Sequence, residues 1–248
     1  MFDGKVAIVT GAARGLGHDY AVRFAADGAA VVLADQLADA AEEAAAKIRA
    51  NGGKALAVVT DVTDPASTKA MAEAALAEFG RIDVLVNNAG IWGDYERAPL
   101  ESVSLDYWNL VLAVNLTGPL LCSQAVLPTM AAQKWGRIIN ISSMGAHMAS
   151  GVYGVSKLGL NQLTFAMATE VGVNGITVNA VAPGTIANEA TQRQVDAAPL
   201  QGLIGKNAIK RAGTSDDLYG AIRYLASDDA AWVSGQTIVV NGGFSSRF

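Results

Sequence analysis

Val6-Ala-Ile-Val-Thr10-Gly-Ala-Ala-Arg-Gly-Leu-Gly17 joins a short, largely apolar run to a loop with glycines at positions 11, 15 and 17. The run has no polar alternation, so it reads as a strand buried on both faces. The loop opens a segment, Leu16 to Asp27, that reads as a helix. At such a junction, unpaired backbone N–H groups and the positive helix end point above the strand. Missing side chains let a pyrophosphate come close.

The same alternation continues outward. Further apolar runs stand at Ala30–Ala34, Ala55–Val59, Val84–Val86, Arg137–Ile141, Ile176–Ala180 and Thr237–Val240, separated by Ala-rich segments such as 38–51 and 64–79. Repeated strand–helix units with strands buried on both faces imply an α/β, doubly wound parallel sheet with helices on each side. No linker, repeat or charge block divides residues 1–248, which read as one domain. The irregular stretch is about 184–213, after the Pro183-Gly184 turn; its length and weak periodicity suggest a substrate loop or lid.

Composition narrows the function. The chain has 248 residues, 51% hydrophobic and 17% charged, with net charge −5. No basic cluster offers the footprint that nucleic acid or an anionic membrane needs. One cysteine, Cys122, and two separated histidines, His18 and His147, give no disulfide and no metal-ligand spacing. The most apolar later segment, 105–130, is interrupted by Asp106, Asn109, Asn115 and Gln124. The expectation is a soluble, cytoplasmic protein with a small-molecule substrate and no metal.

Two acids sharpen the reading of the glycine loop. Asp35 closes the second strand, 18 positions beyond Gly17, where a carboxylate can accept hydrogen bonds from an adenosine ribose. Asp61 follows the third strand on the same edge of the sheet. Together they make a dinucleotide site the better reading over a packing turn with two solvated acids.

The spacing T-G-x-x-x-G-x-G resembles that of the short-chain dehydrogenase/reductase family. The likeness runs in order through Thr10–Gly17, Asp61-Val62, Asn87-Asn-Ala-Gly90, Asn115, Ser142-Ser143, Tyr153-Gly-Val-Ser-Lys157 and Pro183-Gly184. It implies a seven-stranded sheet and a nicotinamide cofactor held by Gly11, Arg14, Gly15, Leu16, Gly17, Asp35, Gln36, Asp61, Val62, Asn88, Ala89, Gly90, Tyr153, Lys157, Pro183, Gly184 and Ile186. It also implies catalysis by Asn115, Ser143, Tyr153 and Lys157.

The chemistry agrees with that implication. Tyr153 and Lys157 are four apart in a helical segment, so they share a face. Oxidising a secondary alcohol needs a base for its proton, and reducing a ketone needs the same group as an acid. A free tyrosine, with a pKa near 10, is too weak a base. An ammonium about 4.5 Å away at effective dielectric 20 favours phenolate by about 3 to 4 kcal/mol, before desolvation is subtracted. The expectation is therefore that Lys157 lowers the Tyr153 pKa; in the family it also holds the nicotinamide ribose. Ser143 aligns with the family's serine, which steadies the substrate oxygen. The interval from Ser143 to Tyr153 is shorter than usual in the family, which leaves Ser142 as the alternative. Asn115 is either the family's holder of a relay water or a buried amide satisfied by backbone. Asn241, where an acid is commoner, should touch packing only.

Trp92, Met144, His147 and Met148, with Ile91, Tyr95, Ile186 and Leu200, are candidates for an apolar substrate pocket beside Ser143 and Tyr153. Arg14 favours NADP and Asp35 favours NAD; the carboxylate should prevail, making NAD the expected cofactor. The expected activity is oxidation of a secondary alcohol or reduction of a ketone. The alternatives are a 3-oxoacyl-thioester reductase and, in another class, a nucleotide-binding sensor or scaffold without turnover. The apolar helices beginning near Leu105 and Val152, with 232–248, suggest a homotetramer or homodimer.

Overall fold

A computed structural model describes residues 1–92, 99–187 and 197–244. In it β1 (Val6–Thr10), α1 (Gly15–Ala26), β2 (Ala30–Asp35), α2 (Ala38–Ala50), β3 (Lys54–Val59), α3 (Pro65–Phe79) and β4 (Val84–Asn87) form the first half. The second half holds α4 (Leu105–Leu112), α5 (Gly118–Gln133), β5 (Gly136–Ile141), α6 (Gly151–Val171), β6 (Ile176–Pro183), α7 (Ala197–Lys206), α8 (Ser215–Ala226) and β7 (Thr237–Val240). All seven strands pair in parallel in the order β3-β2-β1-β4-β5-β6-β7. This is the doubly wound sheet expected from the alternating runs.

Successive residues of each strand feed opposite faces, which explains the unbroken apolar runs. In β1, Ala7 and Val9 pack with Tyr20, Phe24, Ile48 and Leu218. Val6 and Ile8 pack on the other face with Met71, Ala75, Val126 and Met167. The chain reverses direction of winding between β1 and β4, so the carboxyl ends of these strands open a crevice, the usual ligand site of such sheets.

Two elements differ from the sequence reading. The segment read as one helix over 105–130 is interrupted by a π-helical turn, Ala113–Thr117, with Asn115 at its middle. Among the described residues this rod is also the one helix run long and apolar enough to cross a membrane, over Leu105–Gln133. Its Val111, Asn115, Cys122, Val126 and Met130 are nevertheless fully buried against the protein's own core. The second difference is α7, inside the stretch read as irregular. Pro199 in its first turn and Gly202 and Gly205 within it conceal the helix, because propensity counts both residue types as breakers.

Candidate active site

The glycine loop is built by close approach. Gly11 and Gly15 have φ of +64° and +59°, a region that favours glycine. A Cβ on Gly17 would stand 2.2 Å from the Gly11 carbonyl oxygen and 2.5 Å from Asn88 Nδ2. Above Gly15, by contrast, a Cβ would meet nothing within 4 Å. The loop thus packs against β4 on one side and leaves open space on the other.

Thr10 and Asn88 stitch that packing. The backbone N–H groups of Asn88 and Ala89 both donate to Thr10 Oγ1 at 3.0 Å. Asn88 Nδ2 donates to the carbonyls of Thr10 and Gly11 at 2.9 and 3.2 Å. Asp35 is fixed in the same way: Ala13 N–H donates to Oδ2 at 2.9 Å and Leu37 N–H to Oδ1 at 3.0 Å. Two backbone bonds leave each oxygen with a further lone pair for a ligand. Asp61 accepts from the Thr63 N–H and hydroxyl at 2.8 and 2.7 Å, and these bonds hold its carboxyl below the usual range, with Gln36 adding a third. Arg14 caps α1 in extended conformation with its side chain in solvent.

A cleft of about 1060 Å³ runs from this loop to α6. Gly11, Arg14, Gly15, Leu16, Asp35, Gln36, Asp61, Val62, Asn88, Ala89, Gly90, Pro183, Gly184 and Ile186 line it, as do Ser143, Tyr153 and Lys157. Gly17 lies behind the loop rather than on the wall. The open space above Gly15, the backbone amides around it and the pinned Asp35 carboxylate fit a dinucleotide: a cradle for phosphates beside an acceptor for ribose hydroxyls.

At the other end, helix α6 projects Tyr153 and Lys157 from successive turns. Lys157 is 5% exposed; its Nζ donates to the Ile141 carbonyl at 2.8 Å and lies 5.8 Å from the centre of the Tyr153 ring. Burial pushes the Lys157 amine down to about 8. Burial likewise pushes the Tyr153 hydroxyl up to about 12, against the opposing pull of its hydrogen bond with Ser143. The expected lowering of the Tyr153 pKa by Lys157 is therefore corrected for the protein alone. The ammonium turns to the Ile141 carbonyl, and desolvation of the phenolate outweighs the Ser143 hydrogen bond.

Ser143 and Ser142 have different neighbours. Ser143 Oγ accepts from the Gly145 N–H at 3.0 Å, capping a 3-10 turn over Met144–His147, and meets Tyr153. Ser142 is 3% exposed, and its Oγ donates to the Lys157 carbonyl at 3.4 Å. Asn115 is fully buried: Ile91 N–H donates to its Oδ1 at 2.7 Å, and its Nδ2 donates to the Ile91 carbonyl and Ser156 Oγ at 3.0 and 3.1 Å. Its side chain is thus held by the Ile91 backbone and the Ser156 hydroxyl. Ser156 in turn donates to the Tyr153 carbonyl at 2.7 Å. Sequence reasoning missed Ser156, although its position beside Lys157 on the tyrosine's helix face is the signal that could have found it.

Trp92, Ile91, Met144, Met148 and Leu200 also line the cleft, joined by Leu110, Val114, Gly145, Ser150 and Leu203, which were not anticipated. His147, expected in the substrate wall, is solvent-exposed and is not among the residues that line the cleft. The 3-10 turn aims Met144 and Gly145 inward and carries His147 to the outside. Tyr95 and residues 188–196 lie outside the described residues. Asn241 packs against Gly184, where a Cβ would meet its Cα at 2.6 Å.

A parallel seven-stranded sheet with a glycine cradle at one end of its crevice and a tyrosine–lysine pair at the other defines a nucleotide-dependent oxidoreductase class. A family model described as enoyl-(acyl carrier protein) reductase matches residues 11–245, and the chain belongs to the short-chain dehydrogenase/reductase family, whose members use nicotinamide cofactors. It is 45% identical over 243 residues to an uncharacterized oxidoreductase of Mycobacterium tuberculosis (strain CDC 1551 / Oshkosh), covering 98% of both chains. It is 42% identical over 244 residues to a 3-oxoacyl-[acyl-carrier-protein] reductase of Synechocystis sp., covering 96% of both. A solved double mutant of a Serratia marcescens short-chain dehydrogenase/reductase superposes with a TM-score of 0.89 at 35% identity, covering 99% of each chain.

Proposed function

We propose that this oxidoreductase is NAD-dependent and interconverts a secondary alcohol and a ketone. The observation that carries the reading is the meeting of Tyr153, its partner Ser143 and the buried Lys157 in one cleft with the glycine cradle and Asp35. A bound nicotinamide dinucleotide supplies the hydride acceptor for oxidation and the donor for reduction. Gly11, Gly15 and the amides around them hold the pyrophosphate, and Asp35 accepts from the adenosine ribose hydroxyls.

Tyr153 removes the alcohol proton or returns it to the ketone oxygen. Ser143 accepts the Gly145 N–H on its oxygen, and its own proton, shared with Tyr153 in the free protein, turns to the substrate oxygen when that oxygen sits between the two hydroxyls. Lys157 holds the nicotinamide ribose. Asn115 fastens Ile91 and, through Ser156, the backbone of Tyr153, so the substrate wall and the catalytic helix keep one geometry.

A second reading, reduction of a 3-oxoacyl thioester, draws on the name of the Synechocystis relative. Exposed apolar side chains on the α4 and α6 helices, Leu105, Val155, Leu158 and Phe165, support assembly as a homotetramer or homodimer.

Cofactor choice tests the reading. A 2′-phosphate placed against Asp35 would set like charges about 4 Å apart, a repulsion of about 4 kcal/mol at effective dielectric 20. Arg14, exposed and on a flexible stem, offsets part of that. NAD is expected to exceed NADP by about a hundredfold or more in kcat/KM, about 2.7 kcal/mol. Asp35→Ala should narrow the gap mainly by improving NADP. Equal use of both cofactors by the unmodified protein would transfer control of the site to Arg14.

A further inference from the structure

A second, smaller pocket of about 160 Å³ lies between the end of β6, the loop joining α7 to α8 and the end of β7. Thr185 and Ile186 line both this pocket and the large cleft, so they form the partition between the two spaces. Backbone bonds brace that partition on two sides. The Gly184 N–H donates to the Val240 carbonyl at 2.9 Å, the Gly213 N–H donates to the Thr185 carbonyl at 2.9 Å, and the Ala187 N–H donates to the Gly213 carbonyl at 2.8 Å. A Cβ on Gly213 would stand 2.6 Å from Ile186 Cδ1, so the loop lies close against the partition.

Two side chains of this pocket each keep a polar atom unpaired. Thr185 is 9% exposed and Asn207 is 2% exposed, and Thr185 Oγ1 and Asn207 Oδ1 have no hydrogen-bond partner among the described residues. The other end of the amide fixes which atom is left over: Asn207 Nδ2 donates to the Arg211 carbonyl at 2.9 Å, and turning the amide over would set oxygen against oxygen. Asn207 therefore offers an acceptor that requires a donor, and the Thr185 hydroxyl can give or receive. Arg211 and Asp217, which also line the pocket, already face each other through two hydrogen bonds at 2.6 and 2.7 Å, so this ion pair neutralises itself. Ile186, Ile209 and Val240 add hydrocarbon. The occupant that such a set selects is neutral, small, and able to donate and accept at once, which is water.

We propose that this pocket is a hydration site in which one water donates to Asn207 Oδ1 and accepts from the Thr185 hydroxyl, tying the partition to the loop that follows α7. Thr185 and Asn207 are then positioning residues for the cleft, acting through the water they share. The backbone bonds fix the partition along the chain, and the water fixes it from behind, where Thr185 faces the pocket. The bearing of this tie on the cofactor rests on the proposed dinucleotide reading, because Pro183, Gly184 and Ile186 line the cleft in which the dinucleotide is held.

The experiment has two arms. A high-resolution crystal structure of the free full chain should show one water within hydrogen-bond distance of both Thr185 Oγ1 and Asn207 Oδ1, and the Thr185→Val structure should lack it. A side chain of the protein filling the pocket, or an ion in place of the water, overturns the inference. The second arm measures NADH affinity by calorimetry in a double-mutant cycle. Thr185→Val should weaken NADH binding about three- to tenfold, the usual worth of one neutral hydrogen bond, and Thr185→Ser, which keeps the hydroxyl, should restore it. In an Asn207→Leu background the same Thr185→Val change should cost nothing, because the bridge is already broken. An equal loss in both backgrounds shows two independent side chains and overturns the shared water. Should Asn207→Leu fail to fold, unchanged affinity in Thr185→Val, or no recovery in Thr185→Ser, overturns it instead. Failure of the unmodified protein to bind NADH removes the dinucleotide reading, and the crystallographic arm then decides the hydration site on its own.

Discussion

Lys157→Met exchanges a buried ammonium for an apolar side chain of similar reach, and it should make the protein more stable while disabling it. The amine lies 5% exposed, and burial pushes its pKa from 10.5 down to about 8. At 1.36 kcal/mol per unit, the charged form is disfavoured in the folded protein by about 3 kcal/mol at neutral pH. Removing it leaves the Ile141 carbonyl without its donor at 2.8 Å, which costs about 1 to 2 kcal/mol. The net gain is about 1 to 2 kcal/mol, or a rise in Tm of about 2 to 8 °C for a chain of this size.

The pH dependence separates this cause from general repacking. Between about pH 8 and 10.5 the unfolded Lys157 still holds its proton and the folded one has lost it. Wild-type stability therefore rises with pH in that window relative to the variant, which has no such group. The Tm advantage of Lys157→Met should be present at pH 7 and shrink steadily from pH 8 upward. Differential scanning calorimetry of both proteins at pH 7, 8.5 and 9.5, with activity measured alongside, makes the comparison. A variant that is less stable at pH 7, with a deficit indifferent to pH, would refute the reading of Lys157 as a charge held in place against its own desolvation.

Other outcomes follow from the same geometry. Ser143→Ala should lower kcat by about 10² or more, as loss of a hydrogen-bond donor to a developing charge does, while Ser142→Ala should have a much smaller effect. The reverse order in steady-state assays would move the role to Ser142. Ultraviolet difference titration of the Tyr153 phenol, read against Tyr153→Phe, should give an ionisation near 12 in the free protein. Bound NAD, whose nicotinamide ring is cationic, should draw it downward; no movement on saturation would disconnect Tyr153 from the cofactor's charge.

What could be read from the sequence was mostly what the backbone requires. The glycines of 11–17 and the acids at 35 and 61 sit at strand ends, so strand spacing alone places them along one edge of the sheet. Tyr153 and Lys157 were legible because four residues in a helix give one face. The π turn at Asn115 was not legible, nor was the pairing of its amide with both backbone groups of Ile91, 24 positions away, which local periodicity cannot show. Helix α7 was hidden by Pro199, Gly202 and Gly205, whose unfavourable propensity is outweighed in place. The exposure of His147 was not legible, because proximity in sequence to Ser143 does not fix direction in the four-residue 3-10 turn that carries it. The ionisation of Tyr153 was misjudged because burial, the dominant effect, is invisible to residue spacing.

The most direct measurement of the central claim is pre-steady-state reduction of a neutral ketone by enzyme-bound NADH, followed by loss of nicotinamide absorbance, in the wild type and in Tyr153→Phe. The account predicts that the variant binds NADH with wild-type affinity and reduces the ketone more slowly by about 10² to 10⁴, because the proton donor alone is gone. A variant that consumes NADH within a few fold of the wild-type rate, with chemistry limiting in both, would contradict the assignment of Tyr153 as the acid and base.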